Sequence, residues 1–261
     1  MTGAPPQMSS SDPSPFDDAP LFHQFWDNGV LNPSRALAMR ERIAHDAARM
    51  YTPPRPVHAA AGIGLPAPSA ARNAAWHNRR STRCFGPQPW SLSELTHLLA
   101  PLRARDASSD AMQTRLLPSG GGKYPVQAYV ALCRIDGPSA LHNRIAWYDP
   151  ARHALTPVAP CPEWPTLART LGVDWSDTPA VVVLLVAESA GTLVKYGERG
   201  GRFLLIEAGV HLGALGYQAA EAGWAGSAIA SFDDGAVLAL LGLSAPRHLA
   251  MLAYACGPAA D

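Results

Sequence analysis

Apolar and polar positions follow two different periods along this chain, and each period predicts one type of element. Residues 126–133 alternate between apolar and polar side chains, the pattern of a half-buried strand. Residues 180–187 (AVVVLLVA) are apolar without interruption, which predicts a central strand buried on both faces. Residues 145–149 and 153–158 flank an Asp-Pro turn and predict a hairpin, and residues 249–256 predict a final strand.

Helical spacing predicts the helices. Leucines recur at this spacing over residues 91–102, where Ser91 and Glu94 form a capping box. Residues 203–222 give the longest helical pattern, and its polar positions are too frequent for a membrane span. Its glycines would let another helix approach closely, as in a core helix or a dimer interface. Shorter helices are predicted over residues 164–171 and 236–241.

The N-terminal part differs in composition from the rest. Residues 1–20 are rich in Pro, Ser and Asp, and they lack the basic start and apolar run of a signal peptide. We therefore expect a disordered tail there. Residues 21–74 predict a helical arm followed by a Pro/Ala-rich connector, and residues 75–261 predict one compact domain.

Two apolar groups within the arm are expected to be buried. The first is the aromatic-rich stretch Leu21, Phe22, Phe25 and Trp26. The second is the apolar side of a helix that begins at Asn32 and Pro33, and this side includes Ile43.

Composition narrows the possible functions. Lys plus Arg and Asp plus Glu both number 21 in 261 residues, so the balanced charge argues against a nucleic-acid or anionic-membrane partner. The four cysteines are far apart and show no metal-ligand spacing. We expect a reduced cytoplasmic protein without a metal site.

The first candidate for chemistry is the loop from Pro118 to Gly122 (PSGGG), which leads into the strand at 126–133. Three glycines let the backbone approach a ligand and adopt positive φ, and Ser119 adds a hydroxyl. The loop is not a P-loop, because no helix and no Gly-Lys-Ser/Thr end follow it. A plain flexible turn is the alternative interpretation.

The second candidate is the basic segment RRSTR at residues 79–83. Arg79, Arg80 and Arg83 could bind a phosphate and a second acceptor, because guanidinium groups suit both. Ser81 could cap the turn or bond a phosphate. A solvated basic turn is the alternative.

A third candidate is the adjacent pair Lys195 and Tyr196. A lysine whose pKa is lowered by burial can act as a base, and a tyrosine can donate or accept a proton. A surface loop with mutually paired charges is the alternative.

These motifs, taken in order, resemble the nitroreductase superfamily and, within it, the SagB-type branch. The order is RRSTR, a capped Leu-rich helix, PSGGGKYP with its strand, WYDP, a buried strand, KYGERGGRF and GSAIASFDD. The resemblance covers about residues 75–257. It implies an α+β fold with a mixed, mainly antiparallel central sheet flanked by helices, and a homodimer with FMN between the subunits.

Site residues follow from the resemblance by position. It implies that Arg79 and Ser81 lie near the phosphate and ribityl chain, and Arg83 near the flavin ring. It also implies that Lys195 and Tyr196 match a pair needed for activity in the azoline-oxidising members. The implied FMN contacts are Arg79, Arg80, Ser81, Arg83, Pro118, Ser119, Gly120, Gly121, Gly122, Gly226, Ser227, Ala228 and Ile229.

The resemblance also implies an activity and partners. The branch oxidises thiazoline and oxazoline rings to thiazoles and oxazoles in ribosomally made peptides. The implied partners are a precursor peptide and a YcaO-type cyclodehydratase. Two alternatives stay open: an NAD(P)H-dependent nitro or quinone reductase, and a non-catalytic subunit of a peptide-modifying complex.

Overall fold

The computed structural model describes residues 18–47, 65–105 and 114–260. Most of the expected N-terminal tail and of the Pro/Ala-rich connector lies outside these ranges. The α-helices are α1 Pro20–Gly29, α2 Pro33–Ala47, α3 Ala70–Asn78, α4 Leu92–Leu99, α5 Trp164–Thr170, α6 Ala190–Tyr196, α7 Glu198–Glu221 and α8 Asp234–Leu240. The strands are β1 Trp90–Ser91, β2 Val126–Leu132, β3 Ile135–Asp136, β4 Arg144–Asp149, β5 Ala154–Pro160, β6 Val181–Glu188, β7 Ala225–Ile229 and β8 His248–Gly257.

A six-stranded sheet in the order β5-β4-β2-β6-β8-β7 forms the centre of the molecule. Every neighbouring pair in it is antiparallel. A small separate pair, β1 with β3, is parallel. This architecture confirms the expected α+β fold, and the two-residue pair is its only parallel pairing within the described residues.

Strand β6 explains why helices cover both faces of the sheet. Its side chains from Val181 to Ala187 are all at most 1% exposed, which confirms the prediction of a doubly buried strand. Alternate side chains enter two separate cores. One core includes α4 and α7, and the other includes α5 and α8. The sheet therefore holds α7 across one face.

The capping signals act as the sequence predicts. The Ser91 hydroxyl accepts a hydrogen bond from the backbone N–H of Ser93, and the Glu94 carboxylate accepts one from the backbone N–H of Ser91, which completes the capping box of α4. Asp233 accepts from the backbone N–H of Ala236 at the start of α8. These short-range bonds fix where the two helices begin.

Helix α7 begins at Glu198, five residues before the predicted start at 203. Two positions in this added first turn are glycines, and close packing against neighbouring residues leaves no room for a side chain there. A Cβ on Gly200 would lie 2.9 Å from the carbonyl oxygen of Thr192, and one on Gly201 would collide with the ring of Phe22. Gly197, with φ +52°, makes the break between α6 and α7.

In the N-terminal arm, the structure corrects the expected burial of both apolar groups. Phe22 is buried and Trp26 is half-buried, but Leu21 and Phe25 are 68% and 62% exposed. The predicted start of α2 is confirmed, because Asn32 accepts from the backbone of Arg35. Ile43 is 59% exposed, so the expectation that it faces the core was wrong. The sheet faces are already covered, and α2 lies outside them.

Candidate functional site

The glycine loop forms a 3₁₀ turn at Gly120–Gly122 between extended Ser119 and strand β2. Gly121 and Gly122 have φ values of +63° and +65°, a region that glycine adopts without steric cost. Both residues are exposed, and a Cβ on Gly122 would meet nothing within 4 Å. The loop therefore offers open backbone to a ligand.

The pair Lys195 and Tyr196 lies directly against this loop, although 74 residues separate Gly121 from Lys195. The pair ends α6 rather than lying in a loop. A Cβ on Gly121 would collide with the Tyr196 hydroxyl and lie 2.7 Å from Lys195 Nζ. Only glycine permits this contact at position 121. The fold therefore brings two of the three sequence candidates together.

The aromatic ring of Phe203, on the first half of α7, supports this arrangement. It contacts the ring of Tyr196 edge-to-face with centroids 4.9 Å apart. A Cβ on Gly120 would lie 3.3 Å from the same Phe203 ring. Tyr196 is half-buried by these contacts, whereas Lys195 is exposed in the single chain.

Ser119 connects the loop to the interior. Its hydroxyl donates to Glu207 Oε2 at 2.5 Å and accepts from the backbone N–H of Tyr124 at 2.8 Å. Glu207 Oε1 accepts from the backbone N–H of Val126 at 3.3 Å. The Ser119 hydroxyl is thus engaged within the chain, so its backbone is the part open to a ligand.

The Glu207 carboxyl group is itself buried in the middle of α7. Burial raises its pKa, and the bonds from Ser119 and Val126 and the charge of Arg115 oppose the rise. Burial also lowers the pKa of Arg115 and of His211. The His211 ring hydrogen-bonds the carbonyl oxygen of Glu207 at 2.9 Å, so its polar group is satisfied within the helix.

The RRSTR segment follows α3 as chain without regular secondary structure, and no turn is assigned to it. The backbone N–H of Thr82 donates to the carbonyl oxygen of Gly226 at 2.9 Å, which fixes the segment beside β7. Arg79, Ser81 and Arg83 are exposed along it. The Arg80 guanidinium donates to the carbonyl oxygens of His77 and Arg79 and is engaged within its own segment.

Strand β7 contributes the other residues expected at a cofactor. Gly226, Ser227 and Ile229 are buried, and Ala228 is exposed. A Cβ on Gly226 would collide with the Tyr254 hydroxyl. Burial raises the pKa of Tyr254, and the charge of Arg79 opposes this rise. Arg83, Ala228 and Ile229 line one end of a cavity of about 590 Å³. This end of the sheet therefore combines exposed guanidinium groups with a cavity.

The glycine loop and the β7 residues lie at different positions along the axis of α7. The glycine loop is bonded to Glu207, and the β7 group reaches Gly216, whose Cβ would lie 4.0 Å from the Tyr254 hydroxyl. Nine residues of helix separate these positions, about 14 Å. The exposed α7 face between them carries Gly209 and Gly213, at which a Cβ would meet nothing within 4 Å.

Sequence reasoning missed Glu207 as a site residue. Its signal was a carboxylate flanked by apolar residues in the middle of a mostly apolar helix, and a buried carboxylate needs hydrogen-bond partners. It missed Tyr124 as well, which takes positive φ and whose ring lies 4.8 Å from the Arg115 guanidinium. Nothing in the local pattern around Tyr124 indicated that conformation.

The described part of the chain lacks both a membrane-spanning helix and a cluster of metal ligands. Over residues 18–47, 65–105 and 114–260, no helix combines the length and apolar character that crossing a membrane requires. Over the same residues, no group of three or more His, Cys, Asp or Glu side chains is placed to hold a metal ion.

Solved structures with the same architecture define the class of fold. A nitroreductase-like protein of Ralstonia eutropha has a TM-score of 0.61 at 21% identity, over 80% of this chain and 88% of its own. A chain of the E. coli microcin synthetase McbBCD complex, solved with truncated pro-MccB17 bound, has a TM-score of 0.64 at 19% identity. That likeness covers 97% of this chain and 100% of the other. The fold is the nitroreductase fold.

Sequence comparison gives the family. The nitroreductase family model matches residues 77–257, and the chain belongs to that family of oxidoreductases. A nitroreductase-like protein of Methanocaldococcus jannaschii is 28% identical over 132 residues, which are 50% of this chain. The match spans 64% of the length of that relative.

Proposed function

We propose that this protein is an FMN-dependent dehydrogenase that oxidises thiazoline or oxazoline rings to thiazoles or oxazoles in a ribosomally made peptide. The contact between Lys195–Tyr196 and Gly121 carries the proposal. It places two groups that can move a proton at the loop expected to line the cofactor. The domain that holds the cofactor comprises residues 75–261.

The residues present fit FMN. Arg79, Ser81 and Arg83 are exposed along a segment fixed to β7, and guanidinium groups suit a phosphate. Gly121 and Gly122 expose backbone that a flat ring can approach closely. When bound, FMN would supply the acceptor for the hydride, which carries both electrons away from the azoline ring.

Lys195 and Tyr196 are then the residues that transfer the proton from the azoline ring. Oxidation of an azoline removes a proton from Cα and a hydride from the adjacent ring carbon. Lys195 Nζ, if neutral, can accept the Cα proton, and the Tyr196 hydroxyl can relay it or orient the ring. Lys195 is exposed in the single chain, so a bound peptide or a partner subunit must exclude water from it.

The open face of α7 supports a homodimer with FMN between the subunits. Gly209 and Gly213 leave room for a close helix, and Ile206 on the same helix is 62% exposed. A second α7 packed there can bring the glycine loop of one subunit towards the RRSTR segment of the other. Each site then draws residues from both chains.

Likeness to the microcin synthetase chain supports a peptide substrate and a cyclodehydratase partner. It covers 97% of this chain and therefore takes in much of the N-terminal arm, whereas the Ralstonia eutropha protein covers 80%. We propose that the partners are a precursor peptide and a YcaO-type cyclodehydratase.

The runner-up is an NAD(P)H-dependent nitro or quinone reductase. The exposure of Lys195 favours it, because Lys195 is open to water in the single chain and a reductase of this kind needs no base there. The two activities differ in the molecule that reduces the flavin.

An anaerobic reduction experiment separates them. The purified protein, reconstituted with FMN, is mixed either with an azoline-containing peptide or with NADH, and the flavin absorbance is followed. We expect the peptide to bleach the flavin and to leave as the azole, and NADH to act slowly or not at all. Rapid bleaching by NADH with nitroaromatic turnover and no azole would establish the runner-up. A protein that takes up no FMN would indicate the non-catalytic subunit.

A further inference from the structure

We infer that Glu207 is the positioning residue of the glycine loop: through Ser119 it holds the loop against Lys195 and Tyr196. The catalytic consequence of this inference rests on the proposed function, but the mechanical link between Glu207 and the loop does not. Glu207 itself lies below the loop and acts through Ser119 on the residues that face the ligand.

The link is a chain of three hydrogen bonds. Glu207 Oε2 accepts from the Ser119 hydroxyl at 2.5 Å, and Glu207 Oε1 accepts from the Val126 amide at 3.3 Å. The Ser119 hydroxyl in turn accepts from the Tyr124 amide at 2.8 Å. One side chain of α7 therefore fixes residues at both ends of the turn at Gly120–Gly122.

The loop needs this restraint because its backbone is unusual. Three residues, Gly121, Gly122 and Tyr124, have positive φ within four positions, and Tyr124 is not a glycine. Such a conformation persists only where the surroundings determine it. A loop released from Ser119 has no reason to keep Gly121 against the Tyr196 hydroxyl.

The surroundings of Glu207 make its charge unfavourable for stability. Arg115, from the segment before the loop, is half-buried, and its charge acts on the Glu207 carboxyl. His211 on α7 is buried and bonds the backbone carbonyl oxygen of Glu207. Burial raises the Glu207 pKa above its unfolded value. The stability from this group is therefore greatest when it is protonated, and it is lost as the pH rises through the folded pKa.

The hydrogen bonds of Glu207 hold the loop, whereas its buried charge lowers the stability of the fold. Two substitutions at Glu207 separate these effects. In Glu207→Gln, the amide can accept from Val126 and donate to Ser119, whose hydroxyl oxygen still accepts from Tyr124. The link survives and the buried charge disappears. In Glu207→Ala both bonds are lost and the Val126 amide is left buried without its acceptor.

Hydrogen exchange of the full-length protein, followed by mass spectrometry over residues 116–126, tests the link. We expect Glu207→Ala and Ser119→Ala each to speed exchange of the loop amides about tenfold or more, because each variant loses two of the three hydrogen bonds. Glu207→Gln should stay near the wild-type rate and unfold at an equal or higher temperature at pH 8. Glu221→Ala is the matched control, because Glu221 lies on the same helix and is exposed.

Wild-type exchange in both alanine variants would overturn the inference, and so would equal acceleration in Glu207→Gln and Glu207→Ala. If Glu207→Ala does not fold, Ser119→Ala decides alone, with the amides of β6 as the internal standard. The flavin spectrum is read on the same samples. A wild-type protein that binds no FMN contradicts the proposed function, whereas the exchange pattern still decides the role of Glu207.

Discussion

At the scale of single residues, Gly121 explains why Lys195 and Tyr196 can lie directly against the glycine loop. The two side chains occupy the space that a Cβ at position 121 would need. Neither residue has an unusual local sequence, and a Lys-Tyr pair at a helix end is an ordinary surface feature. Their contact with an exposed glycine backbone gives the pair its proposed role in moving a proton.

We predict that Lys195→Ala and Tyr196→Phe keep the fold and FMN but lose most azole formation. General-base assistance contributes about 10² to 10⁴ in rate, so a loss in this range is expected. Tyr196→Phe removes only the hydroxyl and keeps the ring that contacts Phe203. The measurement combines flavin absorbance with the peptide mass, which falls by two hydrogens per oxidised ring.

Val194→Ala is the control for these variants, because Val194 lies on the same helix and is 64% exposed. Full azole yield from both Lys195→Ala and Tyr196→Phe would remove the pair from the proposed mechanism. Loss of FMN from both would show instead that the pair has a structural role.

At the scale of elements, α1 depends on a carboxylate from another helix for its first turn. Ala19 provides no side-chain cap, and Pro20 has no N–H. Glu198 at the start of α7 accepts from the backbone amides of Leu21 and Phe22 at 2.8 and 2.7 Å. Glu198 thus caps α1 from outside and ties the N-terminal arm to the helix that follows Lys195 and Tyr196.

We predict that Glu198→Ala loosens α1 without unfolding the sheet. Loss of a helix cap costs about 0.5–2 kcal/mol, and the two amides lose their acceptor. Hydrogen exchange over residues 18–29 should therefore accelerate, while exchange over β6 stays unchanged. Arg199→Ala, one residue further and exposed, should leave α1 at the wild-type rate. Unchanged exchange of α1 in Glu198→Ala would mean that packing of Phe22 alone holds the helix.

At the scale of the whole molecule, α7 organises both the core and the proposed dimer. Its inner face contributes Leu204 and Leu215 to the core, both fully buried. Its outer face exposes Leu205 and Ile206. A long helix with an apolar outer face and open glycine positions is the expected partner surface for a second copy.

We predict that Gly213→Leu converts the dimer to a monomer and lowers FMN occupancy. A side chain at position 213 meets nothing within 4 Å in the single chain, and leucine favours the helix more than glycine does, so the monomer should fold. Light scattering after gel filtration gives the mass, and absorbance gives the flavin. Ala239→Leu, at an exposed position of α8, is the control. A Gly213→Leu dimer with full FMN would exclude this face as the interface.

The sequence by itself determined the elements whose signals are local. The unbroken apolar run at 180–187 can be satisfied only by a strand buried on both faces, and β6 is that strand. The capping box at Ser91 and Glu94 acts over three residues, so its position fixed the start of α4. The order of motifs was sufficient for the family, because each motif is read from adjacent residues.

Tertiary structure decided every feature that depends on a distant partner. Periodicity gives the face of an element that is buried but not the element that covers it, so Ile43 was expected in the core and is exposed. The acceptor of the Ser119 hydroxyl lies 88 residues away on α7. The approach of Tyr196 to Gly121 likewise depends on how α6 packs. Such contacts are set by the packing of the whole sheet and its helices, and no local pattern encodes them.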